Sequence, residues 1–471
     1  MEFLLSSMIL LFLFPFTLYF LLSKCTKNII KLPPGPTPLP FIGNLHQLGK
    51  KPHKSLAKLA ETHGPLMTLK LGQVTTIVVS SPNMAKEVLQ THDHILSNRT
   101  VPGAVKVHDH DKYNMAFLPI APLWRELRKI CNNELFSNKT LDESKGTRLQ
   151  KLEDCLNDIN QNLVQSSDSV GDFKELILNI LKECGKPNIA DLFPALNIFN
   201  FDLQGIKRRN AVYAQKVFDI FRRLIDQRVK LREVQRFDTK SDMLSNLLDI
   251  AEDNSQEMNK AKIPHLSLTL FIAGTDTISS TLEWAMSELV KNEKIMTKAK
   301  QELEQIIGKG KPVEETDIVK LPYLQAIIKE TFRLHPAVPF LVPRKADANV
   351  EIDGYTIPKD AQIWVNVWAI GRNSSTWENA NLFSPERFLE SKIDAIGHNF
   401  ELLPFGAGRR ICPGISLATK MLPLMLGSFI NCFNWKLEDG MKVEDMNMED
   451  KFGLSLEKSQ PLRVVPEKVC N

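Results

Sequence analysis

The chain is 471 residues long, 43% hydrophobic, with a formal charge of +4 from 59 basic and 55 acidic side chains. That length buries a large core, and a nearly balanced charge with no basic block interleaved with aromatics excludes a nucleic-acid-binding protein. Seven scattered cysteines, odd in number and without C-x-x-C spacing, fit a reducing compartment and exclude a disulfide scaffold or a cysteine-type zinc site.

Residues 3–22 carry no charge and are long enough to cross a bilayer. The run is too long for the apolar core of a cleavable leader, starts beside Glu2, and is followed by no A-x-A. Lys24, Lys27 and Lys31 come next, so residues 1–22 are expected to be a retained transmembrane anchor with the bulk of the chain on the cytosolic side. Residues 23–40 are basic and then proline-rich, a stiff extended hinge, and 41–471 form the main domain.

Within that domain, the patterns predict a helix over 53–63, a hairpin of 66–71 and 75–80 around Gly72-Gln73, and a helix from Pro82 to about Thr91. Periodicity fails from His92 to Ala121, and a loop this long inside a compact domain is usually functional. An amphipathic helix runs from Trp124 to about Phe136, with Trp124 and Arg128 four apart on one face. Helical segments follow over 140–163 and 174–185, with a polar, Ser-rich stretch at 161–173 between them. Residues 192–201 are apolar but broken by Pro and Asn, and a helix over 205–236 shows a basic face (Arg222, Arg223, Arg228, Lys230, Arg232, Arg236), either solvated or a docking surface for an acidic redox partner. A long apolar helix covers 262–290 and another helix 321–334, ending before Pro336. Short strands are expected at 350–352, 355–357 and 363–367, an irregular meander at 372–404, an apolar helix at 415–430 containing Pro423, and strands at 433–437 and 462–465.

Three places carry chemistry. In Phe405-Gly406-Ala407-Gly408-Arg409-Arg410-Ile411-Cys412-Pro413-Gly414, a lone cysteine lies between arginines and the start of an apolar helix, both of which stabilise a thiolate; Pro413 suits the first helical position. The middle of the 262–290 helix reads Ala273-Gly274-Thr275-Asp276-Thr277. These are locally poor helix formers, which suggests a site where small residues leave room for a ligand and an acid and an alcohol relay protons. Glu330 and Arg333 share a helix face, and Arg387 in Pro385-Glu386-Arg387-Phe388 supplies a second arginine.

Together, W-x-x-x-R, A-G-x-D-T, E-x-x-R, P-E-R-F and F-x-x-G-x-R-x-C-x-G, in this order, resemble the cytochrome P450 family of haem-thiolate monooxygenases, over essentially everything from residue 32 onward except near 165–173. The resemblance implies a mainly α fold with small β-sheets, with haem b (iron protoporphyrin IX) held between the 262–290 and 413–430 helices. Cys412 is then the axial iron ligand, Phe405 and Gly414 complete the cofactor loop, and Trp124, Arg128, Arg344 and Arg410 bind the haem propionates. Asp276 and Thr277 deliver protons, while Glu330, Arg333 and Arg387 lock the segment leading to the ligand loop. Ala273, Val338, Phe340, Leu341 and Leu454 line the substrate pocket, as does the loop within 92–121. The implied reaction inserts one oxygen atom from O2 into a C–H bond of a small apolar substrate, with electrons from NADPH-cytochrome P450 reductase, at the cytosolic face of the endoplasmic reticulum membrane.

The stretch at 161–173 departs from the pattern, since relatives carry an additional apolar helix here: it is either a shortened surface loop or the loss of a core helix, which would leave a catalytically impaired or non-catalytic haem-binding member. Glu401-Leu402-Leu403-Pro404-Phe405 and Arg333-Leu334-His335-Pro336-Ala337-Val338-Pro339-Phe340 are similar to plant geraniol hydroxylase-like members, which implies a terpenoid substrate such as geraniol. An isomerase or dehydratase of the same fold would lack the acid–alcohol pair that Asp276 and Thr277 provide.

Overall fold

The computed structural model describes residues 31–161, 168–199, 202–234, 242–253 and 258–469. The expected anchor at 1–22, residues 23–30 of the expected hinge, and residues 162–167 of the shortened stretch lie outside the described residues.

The longer helices are α1 (Pro52–His63), α2 (Pro122–Lys129), α3 (Lys145–Asn160), α4 (Asp168–Cys184), α5 (Ile206–Val234), α6 (Met243–Glu252), α7 (Ile263–Lys291), α8 (Glu293–Ile306), α9 (Pro322–Leu334) and α10 (Ile415–Cys432). Proline stands in the first turn of α1, α2, α7 and α9, where its missing N–H has no intrahelical partner to lose. Strands β1 (Leu66–Leu71), β2 (Val74–Val79), β3 (Arg344–Lys345) and β6 (Gln362–Val365) form one sheet in the order β1-β2-β6-β3. β1 and β2 are the antiparallel hairpin read from the sequence, and β6 returns parallel to β2 with Val365 opposite Val79. Three two-stranded sheets complete the set: β4 (Val350–Ile352) with β5 (Tyr355–Ile357), β7 (Phe433–Leu437) with β10 (Val464–Lys468), and β8 (Asp450–Phe452) with β9 (Leu456–Lys458).

The main core joins α7, α8, α9 and α10 through Leu289, Leu303, Leu324, Ile327, Leu426 and Ile430, all fully buried. Burying each such side chain is worth about 1.5–3 kcal/mol. Gly427 lets α10 approach closely, since a Cβ there would lie 2.7 Å from Val313 and 2.9 Å from Leu324. Two donors on α7, Ser280 Oγ and Trp284 Nε1, both reach Leu456 O at 3.0 Å and pin the β8–β9 hairpin along the helix. The hairpin turn, Gly453-Leu454-Ser455, is thereby placed beside the middle of α7.

Several elements differ from the sequence reading. The helix expected over 124–136 is α-helical only to Lys129 and continues as a π-helical turn, Ile130–Leu135. The segment expected over 140–163 is split at Ser144. Helices α6 and α8 form where no element is predicted. Two arginines of the basic face of α5 are engaged within the chain: Arg228 pairs with Asp242 and Arg232 with Asp249, so both clamp α6. The proline-rich segment is extended as expected but laid along β1, with Thr68 N–H donating to Pro34 O at 2.8 Å. Among the described helices, only α10 is long and apolar enough to cross a membrane, and it is packed into the core.

Candidate active site

Cys412 lies between the 3-10 turn Gly408–Arg410 and α10, whose N-cap is Gly414. Pro413 therefore precedes the cap rather than opening the helix, a shift within the ordinary uncertainty of helix ends. Gly406 and Gly408 hold φ of +69° and +71°, a region open to glycine, and a Cβ on Gly408 would meet Leu89 O at 2.1 Å. The loop closes on itself where Cys412 N–H donates to Phe405 O at 3.0 Å. The Phe405 ring meets Phe332 of α9 edge-on at 5.4 Å, so the loop is seated on that helix.

Burial is the largest influence on the Cys412 thiol and pushes it above its ordinary range; the Gly414 N–H and the Arg128 charge pull the other way and do not win. This corrects the expectation of a thiol acidified by its loop and arginines alone. A coordinated metal, a larger and closer charge than either, is what deprotonates a cysteine in such a place.

Leu270 of α7 and Leu417 of α10 pack against the same buried cluster, and Ala273 and Thr277 stand three and seven residues beyond Leu270 on the same face. Ala273 is exposed and Gly274 only half-buried, with nothing within 4 Å of the Cβ position of Gly274, although both ends of α7 are buried. The middle of the central helix therefore opens toward the start of α10, where Cys412 sits. On the opposite face Phe271, Thr275 and Ser279 are also exposed, with Phe271 edge-on to Phe173 of α4 at 5.0 Å.

Thr277 Oγ1 donates to Ala273 O, one turn back, at 2.6 Å. Asp276 turns to the β8–β9 hairpin, where the Ser455 hydroxyl donates to its carboxylate. Burial, the largest influence, raises the Asp276 carboxyl from its ordinary value, with the Glu457 charge adding to it and Ser455 opposing. Neighbours in sequence thus serve different sides of the helix, and Ser455 is a partner that the sequence reading did not assign.

The expected Glu–Arg–Arg cluster forms as a fully bonded unit. Arg333 meets Glu330 through two hydrogen bonds, Nε to Oε2 at 2.7 Å and Nη2 to Oε1 at 2.8 Å, with both side chains fully buried. Arg387 Nε and Ser384 N–H also donate to Glu330 Oε1, at 3.1 and 2.7 Å. Arg333 then reaches the carbonyls of Gly371, Ala380 and Leu382, and Arg387 that of Glu378, which ties α9 to the meander.

The other arginines gather around the ligand loop. Arg128 Nη1 donates to Ile411 O at 2.5 Å, and Arg344 donates to Ala407 O at 2.8 Å and pairs with Asp93 at 2.5 Å. Arg410 donates to the carbonyls of Ser97, Met115 and Leu118 and lies 4.6 Å over the Trp124 ring. The Trp124 N–H is taken by Met115 O at 3.2 Å, so Trp124 supports Arg410 through its ring and has no N–H left for a propionate. Arg99, unassigned from the sequence, joins them: its Nη1 reaches the carbonyls of Val342 and Pro343, while its Nε is buried with no partner. Burial first, and then the charges of Arg344 and Arg410, hold Arg99 well below its ordinary value. These buried cations have Asp93 as their one carboxylate partner among the described residues, an arrangement that calls for further anions. The two carboxylates of a haem beside a cysteine ligand meet that demand, so the residues fit the group.

The expected pocket residues divide. Ala273 and Leu454 are exposed, and Val338 is half-buried. Leu341 packs against the ligand loop, 3.5 Å from the Cβ position of Gly406. Phe340 does not join them: it is buried in the sheet core with Leu69 and Leu71, its ring tilted against Trp364 at 4.9 Å, while the left-handed backbone of Leu341, φ +52°, takes the chain the other way.

The profile of the family described as Cytochrome P450 matches residues 33–184 and 166–463. Geraniol 8-hydroxylase of Catharanthus roseus is 47% identical over 490 aligned positions, covering 98% of this chain and 99% of that enzyme. Geraniol 8-hydroxylase of Swertia mussotii is 48% identical over 484 positions (96% and 97%), and drimenol monooxygenase of Persicaria hydropiper 46% over 480 (95% of each). With a cysteine loop seated on a buried Glu–Arg–Arg cluster, a central helix that opens toward it, and these matches along its length, the chain belongs to the cytochrome P450 family of haem-dependent monooxygenases.

Proposed function

We propose that the protein hydroxylates a small apolar terpenoid, with geraniol the first candidate, consuming O2, NADPH and a proton and yielding the hydroxylated product, water and NADP+. The observation that carries this reading is the similarity, over nearly the whole of both chains, to two enzymes named geraniol 8-hydroxylase. Haem b, when bound, supplies the iron centre that activates O2 and oxidises the C–H bond. The chain's own residues do the rest. Cys412 ligates the iron, Arg99, Arg128, Arg344 and Arg410 hold the carboxylates, and Glu330, Arg333 and Arg387 keep the ligand loop in place. Ala273, Leu454, Val338 and Leu341 form an apolar surface for the substrate, and Thr277 and Asp276 hold protons beside it. Electrons come from NADPH-cytochrome P450 reductase. Turnover of reconstituted enzyme on a panel of monoterpene alcohols, hydrocarbons and sesquiterpenes tests the reading: NADPH-dependent hydroxylation of one or more supports it, and no product from any of them, in protein with a full complement of haem, overturns the terpenoid assignment.

Thr277→Ala removes the hydroxyl beside Ala273 O and is expected to lower product formed per NADPH, with the missing equivalents recovered as peroxide or excess water; positioned proton transfer is worth about 10²–10⁴-fold in rate. Unchanged product per NADPH would refute the proton role. We also assign residues 1–22 as a single-pass anchor in the endoplasmic reticulum membrane, with 41–471 on the cytosolic face. Deleting residues 2–22 should release the protein from microsomes in a sedimentation assay, whereas retention under high salt would show that another surface holds the membrane.

A further inference from the structure

The long aperiodic loop is tied down along its length. Near its start Gly103 N–H donates to the Asp191 carboxylate at 2.9 Å, Asn210 Nδ2 to Ala104 O at 2.6 Å, and the His108 ring to Ala211 O at 2.7 Å. Near its end the carbonyls of Met115 and Leu118 receive Arg410. Between these ties lies a buried histidine pair. His110 Nδ1 and His265 Nδ1, the latter in the first turn of α7, are 3.2 Å apart, with ring centroids 5.5 Å apart and both residues under a tenth exposed. Phe218 of α5 and Tyr113 close around the His265 ring at 4.6 and 5.0 Å.

The proton positions follow from the neighbours. Asn114 Oδ1 accepts the Ala116 N–H at 2.9 Å, which orients the amide so that its Nδ2 donates to His110 Nε2, also at 2.9 Å. His110 Nε2 is therefore bare, and its proton sits on Nδ1 and is given to His265 Nδ1. A second proton on either ring destroys an acceptor. A metal ion between the two Nδ1 atoms is disfavoured too, because a metal-bound His110 needs a proton on Nε2, where the Asn114 donor already points.

We propose that the His110–His265 hydrogen bond is the latch that holds residues 103–118 against α7 and α5, and that these two positioning residues set how readily a ligand enters and leaves the pocket. The inference rests on the pocket assignment above but not on the identity of the substrate. Val107 of the loop is buried in one cluster with Phe218 of α5 and Leu268 of α7, against which Ile272 also packs; releasing the loop uncovers this side of α7, the one that carries the exposed Phe271 and Thr275.

The latch carries a pH dependence. Burial, the largest influence on both rings, lowers His110 to about 3, with the His265 charge helping, and His265 to about 4. Arg222 from α5 and His108 from the loop also lower His265, Asp109 opposes them, and Lys262 lies over the Tyr113 ring at 5.9 Å. In an opened loop each imidazole regains a value near 6.5, so the open form binds more protons. Closure is at full strength above pH 6.5 and weakens as pH falls toward 4; at pH 5 opening is favoured on the order of 30-fold per histidine.

The test uses the haem-loaded full chain, hydrogen exchange of amides 103–118, and the rate at which 4-phenylimidazole binds as read from the haem absorption band. In wild-type protein, exchange corrected for its intrinsic pH dependence should quicken in this loop between pH 6.5 and 5. At pH 7.4, His265→Phe should raise loop exchange and phenylimidazole binding and release about tenfold, the loss of one hydrogen bond, and His110→Phe at least as much, because it also takes the acceptor from Asn114. The double variant, which restores an apolar ring pair, should recover part of this and lose the pH dependence. Loop exchange in wild type that is flat between pH 6.5 and 5, or single variants that bind and release phenylimidazole at wild-type rates, would overturn the latch. Neither readout uses a terpenoid, so inactivity on terpenoids leaves it standing.

Discussion

Cys412→Ser is expected to abolish turnover and to remove the thiolate signature from the haem spectrum, while leaving the fold largely intact. The serine oxygen takes the place of sulfur with little change of volume, and the loop geometry set by Gly406, Gly408 and the Cys412 N–H to Phe405 O bond does not depend on the side chain. A hydroxyl is far less acidic than a thiol, however, and burial already pushes even the thiol upward. Iron also prefers the softer thiolate, whose electron donation favours O–O cleavage. Since removing a group that merely supports a metal ligand costs about 10–100-fold, removing the ligand should cost more than about 100-fold in product formation. Haem content, the carbon-monoxide spectrum and product yield measured on one preparation check this; a serine variant with substantial monooxygenase activity would contradict it.

Glu330→Ala should be the most damaging change away from the cofactor. It leaves Arg333 with no carboxylate partner in a site without solvent and strips Arg387 and the Ser384 N–H of theirs. Breaking a buried pair in this way costs about 3–5 kcal/mol, against a total stability of about 5–15 kcal/mol. Soluble yield, haem incorporation and the thermal midpoint should all fall, and the midpoint by several degrees. Arg387→Ala should cost less, since Arg387 is partly solvent-exposed and Arg333 keeps its two bonds to Glu330. Equal stability of Glu330→Ala and wild type would show that the cluster is dispensable.

The parts of the site that were legible in the sequence are those whose residues sit close together along the chain. Phe405 to Gly414, Ala273 to Thr277, and Glu330 with Arg333 each announce themselves within ten positions, and the structure places them on one loop and two buried helices. Arg99 gave no such sign, a single arginine in an aperiodic loop whose role depends on Val342, Pro343 and Arg344, some 243 residues away. Ser455 likewise acquires its meaning only when Ser280 and Trp284 bring the β8–β9 hairpin against α7. Phe340 and Leu341 show the converse: both are apolar and adjacent, and only the sheet beneath decides which one faces the ligand loop. The thiol of Cys412 was misjudged for a related reason, because arginines and a helix start are visible in sequence whereas the depth of burial that outweighs them is not. Helices α6 and α8 formed where no element was predicted. Leu303, on α8, belongs to the buried core that α8 shares with α7, α9 and α10, an example of tertiary packing supplying the stability that a helix cannot provide by itself.

The central claim is that Cys412 holds haem iron as a thiolate in a competent monooxygenase site. The reduced carbon-monoxide difference spectrum of the purified wild-type protein tests it most directly. A thiolate-type Soret band, in proportion to the haem bound, is the predicted result; a histidine-type band, or no band at all from well-folded protein supplied with haem, would contradict it.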